Sequence, residues 1–189
     1  MWKVEEERKD KAIWGEFARI FGSEKKEPSE AVADFVPVMR KKGIRDVADI
    51  GCGYGRNSIF LAKQGFNVTA IDFSEEALGI LKRNAKAENV EVHPLLSDNK
   101  KLAVKDSSFD AVISTLVLEL HKPSERKHAL HEIERVLKPG GVALITGNFS
   151  EEEAKELKEF MKNFNFIQPE REVGRDGIRV IIAQKKVQT

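Results

Sequence analysis

The residues most able to do chemistry stand together between positions 47 and 72, V-A-D-I-G-C-G-Y-G-R-N-S-I-F-L-A-K-Q-G-F-N-V-T-A-I-D. Asp49 sits inside a short apolar run, and Gly51, Gly53 and Gly55 follow on alternate positions. A second acid, Asp72, closes the next apolar run, 23 residues after Asp49. Glycines in such a turn let the backbone come close to a ligand and adopt angles that other residues resist. A carboxylate about twenty residues further on is placed to accept the hydroxyl protons of a ribose. Asp72 could instead cap the following helix, although Ser74 is better placed to do so. The pattern points to a nucleotide held over a strand-to-helix turn. It is not the dinucleotide fingerprint, because Arg56 and Asn57 stand where the third glycine of G-x-G-x-x-G is wanted, and no G-K-[ST] follows as in a P-loop.

The elements that must position these residues alternate in periodicity. Val47–Ile50 and Val68–Ile71 read as strands, with a helix over Arg56–Gln64 between them. Ser74 reads as the N-cap of a helix Glu75–Ala87, and Val90–His93 as a short third strand. Phe109–Ser114 is apolar through its middle, as a central parallel strand should be. A helix Pro123–Leu137 closed by K-P-G-G and a strand Val142–Thr146 follow, then a helix Glu151–Met161. The runs Phe164–Gln168 and Ile178–Ala183 flank the turn signal Asp176–Gly177 and are expected to pair antiparallel. Upstream, Ile13, Trp14, Phe17, Ile20 and Phe21 share one face of a helix. A charged linker, S-E-K-K-E-P-S-E, leads to a helix capped by Ser29, with an apolar face of Val32, Ala33, Val36 and Met39, a kink at Pro37 and an end at Gly43. Two parts are expected: an amphipathic helix and linker over 1–30, and a ligand-binding core over 31–189. Strand and helix in alternation predict a doubly wound α/β sheet with its crevice at the carboxyl ends of the strands.

Bulk properties exclude several classes. With 32 basic and 31 acidic residues in 189, the net charge is +1, and no global field recruits nucleic acid or an anionic membrane. Cys52 is the only cysteine, so neither an intrachain disulfide nor a cysteine-based zinc cluster forms. No apolar run approaches the roughly 18 residues of a membrane span. The first ten residues are too acidic for a signal peptide, and a soluble cytoplasmic protein is expected. His128 and His131 lie on one helix among charged neighbours and read as surface residues, so no metal is expected.

D-I-G-C-G-Y-G-R-N-S resembles the first motif of the class I S-adenosylmethionine-dependent methyltransferases, and further motifs of that family follow in order. They are A-I-D-F-S at 70–74, L-S-D-N at 96–99, S-S-F-D-A-V at 107–112 and L-K-P-G-G at 137–141. The nearest likeness is to small single-domain enzymes of the tellurite-resistance and thiopurine type. The resemblance implies a Rossmann-like, seven-stranded, mostly parallel sheet with an antiparallel last strand and helices on both faces. It implies S-adenosyl-L-methionine as cofactor, with Asp49, Gly51, Cys52, Gly53, Asp72, Phe73, Asp98, Asn99 and Thr115 around it. Asp98 would accept from the adenine amino group and the Asn99 backbone would donate to the ring. Thr115 or Leu116 would pass beneath the methionine.

Plainer roles compete at several of these positions. Asp49 is placed to hydrogen-bond turn amides, Phe73 to fill the core, Asp98 to close a turn, and Cys52 to pack rather than attack. The aromatic N-terminal stripe is either core or a lid over the pocket.

Methyl transfer from a sulfonium is an in-line displacement and often needs no strong base. The catalytic residues are therefore left unassigned. Glu119 and His121, in T-L-V-L-E-L-H after the fourth strand, are the candidates, with an ordinary loop role as the alternative for His121. There is no N-P-P-Y after that strand, no second cysteine and no appended basic module, which leaves a small molecule as the expected acceptor. RNA or protein methylation, or cofactor binding without catalysis, are the alternatives.

Overall fold

A computed structural model describes residues 12–13, 15–16, 19–20, 27–167, 171–173 and 177–187. Eight strands form one sheet: β1 Asp46–Ile50, β2 Asn67–Asp72, β3 His93–Leu96, β4 Phe109–Thr115, β5 Leu137–Gly147, β6 Phe164–Phe166, β7 Arg171–Val173 and β8 Ile178–Lys185. Their order is β3-β2-β1-β4-β5-β8-β6, with β7 also against β8. The first five strands are mutually parallel, and β8 runs antiparallel to β5. β6 pairs with Ala183–Lys185 and β7 with Ile178–Val180, so together they fill one edge and the sheet is seven strands wide.

The helices are α1 Glu30–Lys41, α2 Arg56–Lys63, α3 Glu75–Ala87, α4 Pro123–Val136 and α5 Glu151–Phe160, with a 3₁₀ turn over Leu118–Leu120. Successive side chains of a strand point to opposite faces. Val47, Val68, Ala111, Ile113 and Leu144 therefore pack with Val32, Phe35 and Met39 of α1 and Leu61 of α2. Ala48, Ile50, Val112, Ala143 and Ile145 pack on the other face with Leu130 and Ile133 of α4 and Leu157 of α5. Ala70 and Cys52 meet Leu78 and Leu81 of α3. Both faces of the central strands are covered, as a parallel sheet requires.

Several expectations shift. The third strand is His93–Leu96, because residues 88–90 finish α3. Asn89 takes a left-handed φ of 53°, its N–H donates to Lys86 O, and the Val90 N–H donates to Ala85 O, a Schellman closure. Gly43 ends α1 by the same device. Ser29 stands at the N-cap of α1, yet its side chain caps nothing. Pro37 lies inside that helix, and Phe35 and Ala31 are buried where Ala33 is only half-buried. Helix α4 stops at Val136, and the K-P-G-G segment belongs to a register shift in β5, where Phe109 pairs with Leu137 but Ala111 with Val142. β7 was not foreseen. Asp176 of the expected turn, and Trp14, Phe17 and Phe21 of the N-terminal stripe, lie outside the described residues. No helix among the described residues is long and apolar enough to cross a membrane.

Candidate active site

The helices that follow β1, β2, β4 and β5 begin beyond the carboxyl ends of those strands, so their N-termini gather there. The chain leaves β1 there through a turn in which the N–H groups of Gly51 and Cys52 both donate to Ile71 O. Gly51 has φ 73°, and an added Cβ would overlap the Val117 side chain. Gly53 has φ 54°, and nothing lies within 4 Å of the place a Cβ would occupy, so the turn opens onto free space there.

Asp72 holds this turn in shape. Its Oδ2 accepts from the Gly53 N–H at 2.8 Å and its Oδ1 from the Ser74 N–H at 2.9 Å. Ser74 Oγ in turn caps α3 by accepting from the Ala77 N–H. The helix-capping role falls to Ser74, while Asp72 braces the glycine turn through backbone N–H groups. Phe73, beside it, is half-buried and belongs to no buried apolar cluster among the described residues.

Asp49 is 1% exposed. Its Oδ2 accepts from the Ser58 hydroxyl at 2.5 Å, while its Oδ1 has no partner among the described residues. Burial pushes its carboxyl up to about 6, opposed by the Ser58 hydrogen bond and by Arg56. Burial also raises Asp72, against the N–H groups it accepts from. The Cys52 thiol is raised well above its ordinary value by burial and by both acids, so it stays a protonated packing group.

At the end of β4, Thr115 Oγ1 accepts from Asn57 Nδ2 at 2.8 Å, and Asn57 Oδ1 accepts from the Ser29 N–H at 2.9 Å. Leu116 then takes a φ of 58°, a conformation that costs a branched side chain about 1 kcal/mol or more. Asn57 and Ser58 were not assigned roles from sequence. The structure buries both in the first turn of α2, at 4% and 0% exposed, and a buried polar group is the informative kind.

The candidates for the adenine edge, Asp98 and Asn99, and those for the acceptor, Glu119 and His121, do not form one cluster. Asp98 is exposed and closes a turn through Lys100 N–H on Oδ1. The Asn99 amide faces His121 Nε2, with Nδ2 at 2.8 Å and Oδ1 at 3.1 Å. Burial, then Lys100, lowers the His121 imidazole against the pull of Glu125 and Asp98, which keeps it neutral near pH 7. Glu119 turns toward the end of β5, where it accepts from the Asn148 backbone and its Oε2 lies against Gly147. Burial raises its carboxyl. His121 therefore binds the turn after β3 and Glu119 the end of β5, with Arg126 acting on both.

In the N-terminal segment, Ile13 and Ile20 are 62% and 56% exposed rather than buried on an apolar face. Gly15 approaches α3 so closely that an added Cβ would stand 2.6 Å from Glu76 Oε2.

Comparison with known proteins decides the family. The model of the methyltransferase domain matches residues 47–141, half of the chain. The chain belongs to the class I S-adenosylmethionine-dependent methyltransferases. It is 26% identical over 140 residues to a probable S-adenosyl-L-methionine-dependent methyltransferase, TehB, of Haemophilus influenzae strain 10810, covering 68% of this chain and 49% of that protein. It is 36% identical over 101 residues to a ubiquinone biosynthesis O-methyltransferase of Rickettsia akari (53% and 41% covered). Against a tRNA N(3)-cytidine methyltransferase of Mus musculus it is 32% identical over 108 residues (52% and 28%). The chain spans about half the length, or less, of these curated relatives. The solved PH0226 protein of Pyrococcus horikoshii OT3 shares this fold, with a TM-score of 0.74 and 23% identity over 90% of this chain and 99% of that one.

Proposed function

We propose that this methyltransferase binds S-adenosylmethionine over the Gly51–Gly55 turn and transfers its methyl group to a small molecule. The observation that carries the cofactor reading is Gly53: left-handed, open on its Cβ side, and flanked by the buried acids Asp49 and Asp72. The unpartnered Asp49 Oδ1 suits a ligand that is cationic at its sulfonium and ammonium groups. In this reading Asp72 accepts from the ribose, Phe73 lies against the adenine, and the turn at Asp98 and Asn99 meets its edge. Thr115 and Leu116 run beneath the methionine. Bound there, the cofactor supplies an activated methyl group. The chain's own part is to hold it, align the acceptor and exclude water.

The distribution of charge supports a small acceptor over a nucleic acid. First helical turns at the crevice end carry Glu75 and Glu76, Glu125, and Glu151 to Glu153. Last turns at the far end carry Arg40 and Lys41, Lys63, Lys86, Arg135 and Lys158. A phosphodiester chain approaching the crevice meets these acids as well as Arg56 at the start of α2. Glu125 is already paired to Lys100 and Glu153 to Arg126, so the support rests on Glu75, Glu76, Glu151 and Glu152. A lid role for the N-terminal segment is consistent with Gly15 seated on Glu76 at the rim.

Two measurements test the proposal. Calorimetry should give binding of S-adenosylhomocysteine and none of NAD; the reverse result refutes the cofactor reading. Labelled S-adenosylmethionine incubated with a metabolite pool and with tRNA should label the small-molecule fraction. Label in tRNA alone would transfer the function to RNA, and no transfer with intact binding would make the protein a binder without catalysis.

A further inference from the structure

We infer that Asn57 is a positioning residue that sets the direction of the Thr115 hydroxyl, leaving its proton to be donated to the anionic end of the cofactor's amino-acid tail. The inference rests on the cofactor reading above. Asn57 is 4% exposed and sits in the first turn of α2, directly after the glycine turn. Its amide bridges two other elements, the Ser29 backbone at the start of α1 and the Thr115 hydroxyl at the end of β4.

The polarity of this chain follows from its first member. A backbone N–H only donates, so the atom of Asn57 that faces Ser29 is Oδ1. That orientation turns Nδ2 toward Thr115 Oγ1, and an amide NH₂ only donates. Thr115 is therefore the acceptor, and its own proton points elsewhere. Among the described residues that proton has no acceptor, and Thr115 is only half-buried.

Strand order says what it meets. Asp72 ends β2, and the sheet runs β2-β1-β4, so a ligand with its ribose at Asp72 crosses the glycine turn and brings its other end to β4. That end carries a carboxylate, which accepts a hydroxyl proton in a short, charge-assisted bond. The relay also ties the site to the segment upstream of α1, because the Ser29 N–H fixes the amide that fixes the hydroxyl.

The test uses two ligands, S-adenosylhomocysteine and 5′-methylthioadenosine, which keeps the nucleoside and thioether but has no amino-acid tail. Asn57→Asp, measured at pH 8, presents an acceptor to Thr115 and draws its proton away from the ligand. S-adenosylhomocysteine affinity should fall by roughly ten- to a hundred-fold, the scale of a lost hydrogen bond to a charged group, with methylthioadenosine affinity changed less than about two-fold. Thr115→Val should reproduce both results, and the double variant should lose no more than the worse single one. Ser29→Pro suits the observed φ of −57° and removes the N–H together with a hydroxyl that caps nothing, so it should give the same selective loss at smaller size. Equal losses for both ligands, no loss for either, or additive losses in the double variant overturn the relay. Failure of the unaltered protein to bind S-adenosylhomocysteine overturns the cofactor reading instead.

Discussion

Over β1 and β2 the crevice floor is main chain, whereas over β4 and β5 it is a set of side-chain ties. On the first side, Gly51 and Gly53 hold left-handed angles and Asp72 fastens the turn through two N–H groups. On the second, Thr115 is bound by Asn57, His121 by Asn99, and Glu119 by the end of β5. The strained residue there is a leucine, at Leu116. A ligand common to a whole family can be met by backbone, whose geometry a few glycines dictate. An acceptor that differs between members has to be met by side chains on loops, which vary without disturbing the scaffold.

The largest effect is expected where the two halves touch. Gly51→Ala puts a methyl group into Val117 at a φ of 73°, and stability should drop by about 3 kcal/mol in urea unfolding. Gly53→Ala meets only open space and should lose about 1 kcal/mol, with its damage appearing in cofactor affinity. Equal losses at the two glycines would erase the distinction between them.

The next effect is a gain. The Asp49 carboxyl is raised from 3.8 to about 6 in the folded state, so the folded chain binds more protons than the unfolded one within that window. Stability from this group is fully present below pH 3.8 and is lost as pH rises through 6, by an amount on the order of 3 kcal/mol. Asp49→Asn removes the loss. It should unfold at higher urea than the parent at pH 7, with a much smaller gap at pH 4, while binding S-adenosylhomocysteine more weakly. A gap independent of pH would show that the Asp49 charge is not the source.

Asp72→Ala should weaken S-adenosylhomocysteine by about 1–3 kcal/mol in calorimetry. Smallest is Glu119→Gln, on the acceptor side, which should leave that affinity within about 0.5 kcal/mol and show itself only in turnover. Should it match the loss at Asp72, the separation of Glu119 from the cofactor fails.

Most of the scaffold was legible in the chain because its signals are local. The alternation of apolar runs marks the strands, Ser74 marks α3, and Gly43 marks the end of α1. The third strand was misplaced because Val90 is apolar and β-branched, yet its N–H closes the helix before it. β7 is three residues long and takes its partner from β8, so it carries no period of its own. In the site, the glycine turn and Asp72 were legible as a pattern of types and spacing. Asn57 was not, since its partners are 28 residues before it and 58 after it, and nothing near it in sequence announces either. The facing of Glu119 away from His121 is likewise set by contacts from β5 and from the turn after β3.

The two buried aspartates have a consequence for turnover under the cofactor reading. A pocket floored by Asp49 and Asp72 discriminates between ligands that differ by a single unit of charge. It attracts one with a net positive charge and has less hold on the neutral thioether that methyl transfer leaves behind. The loaded and spent forms of the same molecule thus meet one surface with unequal attraction. Discharge of the product is built into the placement of the acids, and raising the ionic strength should narrow the difference in affinity between the two forms.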